Sequence, residues 1–286
     1  MFNAMRTIEL PQGTIRYRDS GAGEEVVVLL HGLLVGGDLW TEVVRELAGE
    51  FRVIVPELPL GAHTVPLKPT ADRSPTGMAQ LIADFLGALD LRDVTLVGND
   101  TGGALSQLVA VHHPERVARI VLTPCDAFEV FPPALFKPLV WAARVPGGLT
   151  AYLQPVRLRP LRRLPIAFGW LTKRGIEPAV MDGWVRAYFG DAGVRRDVTA
   201  FVRAAKPNVM KEVGAMLASF DKPVLVAWAP DDRHFKWDLG ERLVAAFPNA
   251  RIERIEDSYT FVATDQPERT AQLIRAFVRE TAEARA

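Results

Sequence analysis

The chain has 286 residues, 49% of them hydrophobic and 24% charged, which excludes a disordered polymer and suits one large domain or a core with an insertion. Lys plus Arg and Asp plus Glu number 34 each, so the zero net charge lacks the basic excess of a nucleic-acid binder, and no local basic patch stands out. One cysteine, Cys125, excludes an intramolecular disulfide.

The elements alternate from the start. Thr14 to Asp19 has the period-two pattern of a half-exposed strand, and Val26 to Leu30 is an aliphatic run suited to burial on both faces. Leu39 to Leu47 carries apolar residues at helical spacing, and Arg52 to Val55 reads as a buried strand. Met78 to Leu89 is a helix with Leu81, Ile82, Phe85, Leu86 and Leu89 on one side. Val94 to Val97 is a strand, Ala104 to His112 a helix stopped by Pro114, and Ile120 to Leu122 a strand. From about Phe128 to Pro207 strand-like runs cease and prolines recur, with short amphipathic helices carrying Trp141, Phe168, Trp170, Trp184 and Phe189. Strand and helix resume at Pro223 to Trp228, Leu239 to Phe247, Arg251 to Ile255 and Ala271 to Thr281.

Repeated strand–helix pairs predict an α/β fold with a mostly parallel, doubly wound sheet. The resumed rhythm predicts a core of residues 1–127 and 208–286 interrupted by an all-helical cap, residues 128–207, in preference to two domains in series. Met1 to Leu10 lacks the basic-then-apolar build of a secretory leader. The most apolar stretch, Ala134 to Gln154, is broken by Lys137, Pro138, Arg144 and Pro146. A cytoplasmic protein with no membrane and no nucleic-acid partner is expected.

The sharpest local signal is Val94 to Gly103. It reads strand, then Gly98-Asn99-Asp100-Thr101-Gly102, then helix: a Gly-x-nucleophile-x-Gly turn with aspartate at its centre. The turn is strained, so the residues two before and two after the nucleophile must lack side chains. The N–H groups that open the helix favour an anion there. Upstream, His31-Gly32 follows the Val26 to Leu30 strand directly.

With these two motifs the chain resembles the α/β-hydrolase superfamily, and the aspartate narrows the resemblance to the epoxide hydrolase and haloalkane dehalogenase branch. That resemblance implies an oxyanion hole from the backbone N–H groups of Leu33 and Thr101, with His31 orienting its loop. It implies that Asp100 attacks a saturated carbon to form an alkyl ester, which water then cleaves with the help of a histidine base. The branch places that histidine in a turn before an acidic-Gln-Pro-Glu run. Here Phe261 and Asp265-Gln266-Pro267-Glu268 align without gaps and put Thr260 in the histidine's seat. A hydroxyl is no useful proton acceptor at pH 7.

Other groups must then be weighed. Asp232 matches the branch's orienting acid, and His234 stands two residues beyond it on the same loop. His63 lies on a loop after a core strand, a side on which α/β sheets bind ligands. His112 and His113 end a helix and read as surface caps. Asp126 stands near the acid position that some dehalogenases use instead, and its neighbour Cys125 reads as a buried small side chain. Tyr152 and Tyr188 of the cap are either packed aromatics or acids for an opening ring. Thr101 and Leu33 replace the Trp and Asn with which dehalogenases hold halide.

The expectation is therefore an α/β-fold hydrolase acting on a small apolar organic substrate through Asp100, with Asp232 and His234 assisting and a non-standard base. The alternative is a non-hydrolytic relative, either a lyase or isomerase using Asp100 as an acid–base group or a ligand-binding protein. Neither a cofactor nor a metal is expected.

Overall fold

Eight strands in the order β1-β2-β4-β3-β5-β6-β7-β8 form one sheet in the computed structural model, which describes residues 4–21 and 23–284. Met1 to Asn3, the start of the segment compared above with a leader, lie outside those residues. Arg6–Leu10 (β1) and Gly13–Asp19 (β2) form a hairpin, and β2 pairs antiparallel with Arg52–Pro56 (β4). Val26–Leu30 (β3), β4, Val94–Asp100 (β5), Val117–Cys125 (β6), Val224–Trp228 (β7) and Ala250–Arg254 (β8) run parallel.

Burial follows position in the sheet. Every residue of β6 and β7 is buried, whereas β2 alternates buried and half-buried residues, as its period-two sequence requires. Within β3, Val28 and Leu30 face one core and Val27 and Leu29 the other. Pro75–Ala88 (α2), Thr101–His112 (α3) and Trp237–Ala246 (α9) contribute to the first core, and Thr41–Leu47 (α1) and the helix Pro267–Glu283 to the second. Helix α2 starts where Ser74 accepts the Gly77 N–H at 3.0 Å and Pro75 occupies the first turn, where its missing N–H costs nothing.

Between β6 and β7 the described residues contain no strand beyond one isolated Ala127–Val130 bridge. Lys137–Arg144 (α4), Gly148–Leu153 (α5), Pro178–Gly190 (α6), Ala192–Ala204 (α7) and Pro207–Met216 (α8) fill that span, and α8 packs on α3. Trp184 and Phe189 lie on α6 and Trp141 on α4, as expected. Phe168 and Trp170 instead fall in turns, because Pro165, Gly169 and Gly175 interrupt any helix there. The edge strand β1, with only Leu10 buried, carried no readable pattern. No helix among the described residues is long and apolar enough to cross a membrane.

Candidate active site

Strand β5 ends on Asp100, whose φ of 53° and ψ of −127° are costly for a residue with a Cβ. The neighbours explain how the turn closes. A Cβ on Gly98 would lie 2.5 Å from the Gly102 carbonyl oxygen, and one on Gly102 would lie 2.4 Å from the Leu30 oxygen. On the opposing loop, a Cβ on Gly32 would lie 2.3 Å from Asp100 Oδ2, so the carboxyl rests against bare backbone.

Both N–H groups named from the sequence, Leu33 and Thr101, donate to the Asp100 carboxyl itself. His31 Nδ1 contacts the Gly32 oxygen at 2.9 Å, and the Leu58 N–H donates to Nε2 at 2.9 Å. That leaves the imidazole neutral, and burial holds its pKa at about 4. His31 shapes the loop that carries Leu33.

The half-buried Asp100 and the buried Asp126 and Asp232 meet around this turn. Burial raises the Asp100 pKa to about 7; the Thr101 N–H opposes it, the Asp232 charge adds to it and the Leu33 N–H opposes it. Asp126 follows Cys125, the register partner of Asp100 on β6. Its Oδ2 accepts from Thr101 Oγ1 at 3.2 Å, while its buried Oδ1 has no partner. Burial, and then the Asp100 charge, hold Asp126 well above the usual carboxylate range. Asp232 Oδ1 accepts from the His234 and Phe235 N–H groups at 2.7 and 2.8 Å, and Oδ2 from Thr260 Oγ1 at 2.9 Å. Burial outweighs these donors and leaves its pKa at about 6. No ion pair joins any of the three aspartates among the described residues.

The Thr260 hydroxyl donates to Asp232, the acid on the loop after β7. The Thr260 carbonyl oxygen accepts from Asn99 Nδ2 at 2.7 Å, which ties the loop to the elbow. Asn99 was missed; a buried amide in an aliphatic strand has to find partners, and that was the available signal.

His234 is a correction. Asp232 accepts the N–H groups of residues 234 and 235, and the His234 ring packs against Phe136 and Trp170, at centroid distances of 5.0 and 6.2 Å. Its Nε2 has no partner, and burial lowers its pKa to about 4. The ring hydrogen-bonds neither Asp100 nor Asp232. His63 is also diverted, since its Nε2 stands 3.4 Å from Asp197 Oδ2 on α7, without hydrogen-bond alignment.

Asp100, Thr101 and Asp126 open onto an apolar cavity of ≈ 110 Å³, room for a small organic molecule. Leu33, Phe131, Phe136 and Phe201 line it, as do Tyr152, Tyr188 and Trp184 from the helical span. The Tyr188 hydroxyl is 3.3 Å from Thr150 Oγ1, and Trp184 Nε1 has no partner. No Lys, Arg or His is among the residues that line the cavity, nor are Asp232 and Thr260. Among the described residues no group of three or more His, Cys, Asp or Glu is placed to hold a metal ion.

Comparison with known proteins identifies the fold. A family model described as the alpha/beta hydrolase fold matches residues 25–267. The 2-hydroxy-6-oxononadienedioate/2-hydroxy-6-oxononatrienedioate hydrolase of Paraburkholderia xenovorans is 30% identical over 246 residues, 83% of this chain and 81% of that protein. Its namesake from Cupriavidus pinatubonensis is 29% identical over 259 residues, 86% of each chain. These two are named for dienedioates, not for epoxides or haloalkanes. A putative ancestral haloalkane dehalogenase superposes with a TM-score of 0.79 at 20% identity, covering 97% of this chain and 99% of that one. A putative lipase from Acinetobacter baumannii does so with a TM-score of 0.80 at 17% identity, covering 99% and 93%. At such identities the structural likeness concerns the fold alone.

Proposed function

The chain belongs to the α/β-hydrolase fold family, and from that premise we propose a hydrolase in which Asp100 is the nucleophile and Asp126 supplies the acid–base function of the missing histidine. Residues 128–207 serve as its cap. The observation that carries this reading is the unpartnered, buried Oδ1 of Asp126 in the cavity that Asp100 also lines. Two carboxyls whose environments separate their proton affinities divide naturally into a base and an acid. Asp100, held by two N–H groups, ionises first, and Asp126 keeps its proton.

The proton count selects the substrate class. Asp100 attacks a saturated carbon; a C–O ester bond forms, the carbon–oxygen bond of the leaving group breaks, and that oxygen takes the Asp126 proton. Asp126 is then a carboxylate and accepts a proton from the water that attacks the ester carbonyl. The Leu33 and Thr101 N–H groups hold the oxyanion. Collapse restores the Asp100 carboxyl, whose proton leaves with the product alkoxide. A halide leaving group would take no proton and would leave Asp126 unable to act as base, so an epoxide-type oxygen is favoured. The substrate is small, apolar and uncharged: a dienedioate such as the relatives are named for would bring two carboxylates to a cavity lined by Asp100 and Asp126 and by no cation.

The test is a panel of small apolar epoxides followed by turnover and intact mass. The wild-type protein should turn over a fitting epoxide, Asp126→Asn should accumulate one adduct on the Asp100 peptide, and Asp100→Asn should do neither. A lasting adduct on the wild-type protein would remove Asp126 from the role of base, and Thr260→His should then shorten that adduct's lifetime. No adduct and no turnover across the panel would leave the non-hydrolytic alternative, with Asp100 as an acid–base group or as part of a binding site.

A further inference from the structure

Zero net charge conceals an uneven distribution. Between Val130 and Ile176 the chain carries eight Lys and Arg and no Asp or Glu. Arg159 and Arg162 pair with Asp182, and Lys173 and Arg174 pair with acids outside the segment. Lys137, Arg144 and Arg163 are exposed and make no ion pair among the described residues. The absence of a basic patch expected from overall composition is thereby corrected.

The same segment exposes large apolar side chains. Trp141 and Leu158 are each 62% exposed and Ile166 52%, and Val145 and Leu164 join them. Helices α4 and α5 and the two short 3-10 turns after them pack on one another in succession, and these exposed side chains stand on α4 or at or just beyond the ends of those elements. Isolated surface hydrophobics are ordinary, but this concentration among unpaired cations is not.

We propose that this outer face, from Lys137 to Ile166, docks on the surface of an anionic lipid bilayer, with Trp141 and Leu158 entering the boundary between headgroups and acyl chains and the free cations meeting the headgroups. Charge selects the occupant. A second copy in a two-fold dimer would set the unpaired cations Lys137, Arg144 and Arg163 against their own copies. A polyanion such as nucleic acid would use the cations but leave Trp141 and the aliphatic side chains without an apolar partner. Lipid satisfies both, as interfacial surfaces with basic residues and Trp do. The docking is peripheral, as no described helix can span a membrane. Ile166 is exposed and also lines the Asp100 cavity, so the docked face adjoins the cavity mouth, and an apolar ligand would pass from lipid to site without crossing much water. The proposal stands on this surface whatever reaction Asp100 performs.

The experiment is sedimentation of the full chain with phosphatidylcholine vesicles, with and without one-third phosphatidylglycerol, at low and high salt. Binding should need the anionic lipid and weaken at high salt. Lys137→Ala, Arg144→Ala and Arg163→Ala combined should lower partitioning on the order of a hundredfold. Trp141→Ser with Leu158→Ser should lower it about tenfold or more, with an unchanged melting temperature because both side chains are exposed. Equal binding to neutral vesicles, or none to either, would overturn the proposal. So would heparin binding without vesicle binding, or a dimer in light scattering that Trp141→Ser dissolves.

Discussion

The buried Asp197 and the half-buried Asp100 differ widely in acidity. Asp197 on α7 accepts from Arg73 Nε at 2.5 Å, from the Leu67 N–H at 2.7 Å and from Arg196, with His63 at 3.4 Å. Burial pushes its pKa up, but His63, Arg73, the Leu67 N–H and Arg196 more than offset that and hold it at about 2. Asp100 has two N–H donors, two further aspartates nearby and no cation, and stands at about 7. Burial raises both; the company differs. Asp197 is a fastener between the α7 segment and the loop after β4, with its charge fully committed. Asp100 keeps a proton that can be exchanged near neutrality, as a reacting group needs.

The sharpest way to break the comparison is to remove the fastener. Asp197→Ala leaves Arg73 buried without its partner and should cost about 3–5 kcal/mol in urea or thermal unfolding. The Asp197 pKa is lowered on folding, so its contribution is present above the unfolded value and lost as pH falls through about 2. The deficit of the variant should shrink over that acid range. A neutral effect at pH 7 would show that the cations do not depend on Asp197.

Asp100→Asn should act in the opposite direction. The folded pKa is raised, so the folded state holds a proton that the unfolded chain releases, and stability falls as pH rises from about 4 to about 7. Asparagine keeps an acceptor for the Leu33 and Thr101 N–H groups without the charge. It should therefore stabilise the protein by about 2–4 kcal/mol at pH 8, a gain of several degrees in melting temperature, and by almost nothing at pH 4. Equal melting temperatures at pH 8 would mean that ionising Asp100 costs nothing.

Thr260→Ala should have the smallest effect. It deletes the 2.9 Å donor to Asp232 and should cost about 1–2 kcal/mol. Because the hydroxyl stabilises the ionised carboxyl, the loss should be greater above pH 6 than below pH 4. A pH-independent loss would indicate that Thr260 matters by packing alone.

How much of this was legible in the sequence depended on the range of each interaction. The Val26 to Leu30 strand and the elbow could be read because their patterns are local, while the family resemblance supplied the Leu33 and Thr101 donors and named Thr260 and Asp232 without establishing that they meet. Position along a loop does not say which way a ring points, so His234 could be placed beside Asp232 but not aimed. The fastener could not be read at all: Arg73 and Asp197 are 124 residues apart, and nothing local to either marks the other. The weak acidity of Asp126 was equally hidden, since it follows from burial and from the Asp100 charge that folding brings beside it.

The N–H pair at Leu33 and Thr101 has a consequence for inhibition. In this chain the two donors already hold a ligand, one attached to the same backbone. A boronate, phosphonate or other free oxyanion mimic must displace a tethered competitor whose effective concentration no added anion readily matches. Reagents built to trap a serine at such a turn should therefore find the seat taken, whereas an uncharged electrophile that brings its carbon to Asp100 leaves both hydrogen bonds in place. Selectivity between the two kinds of reagent is thus built into the turn, before any contact in the apolar cavity is counted.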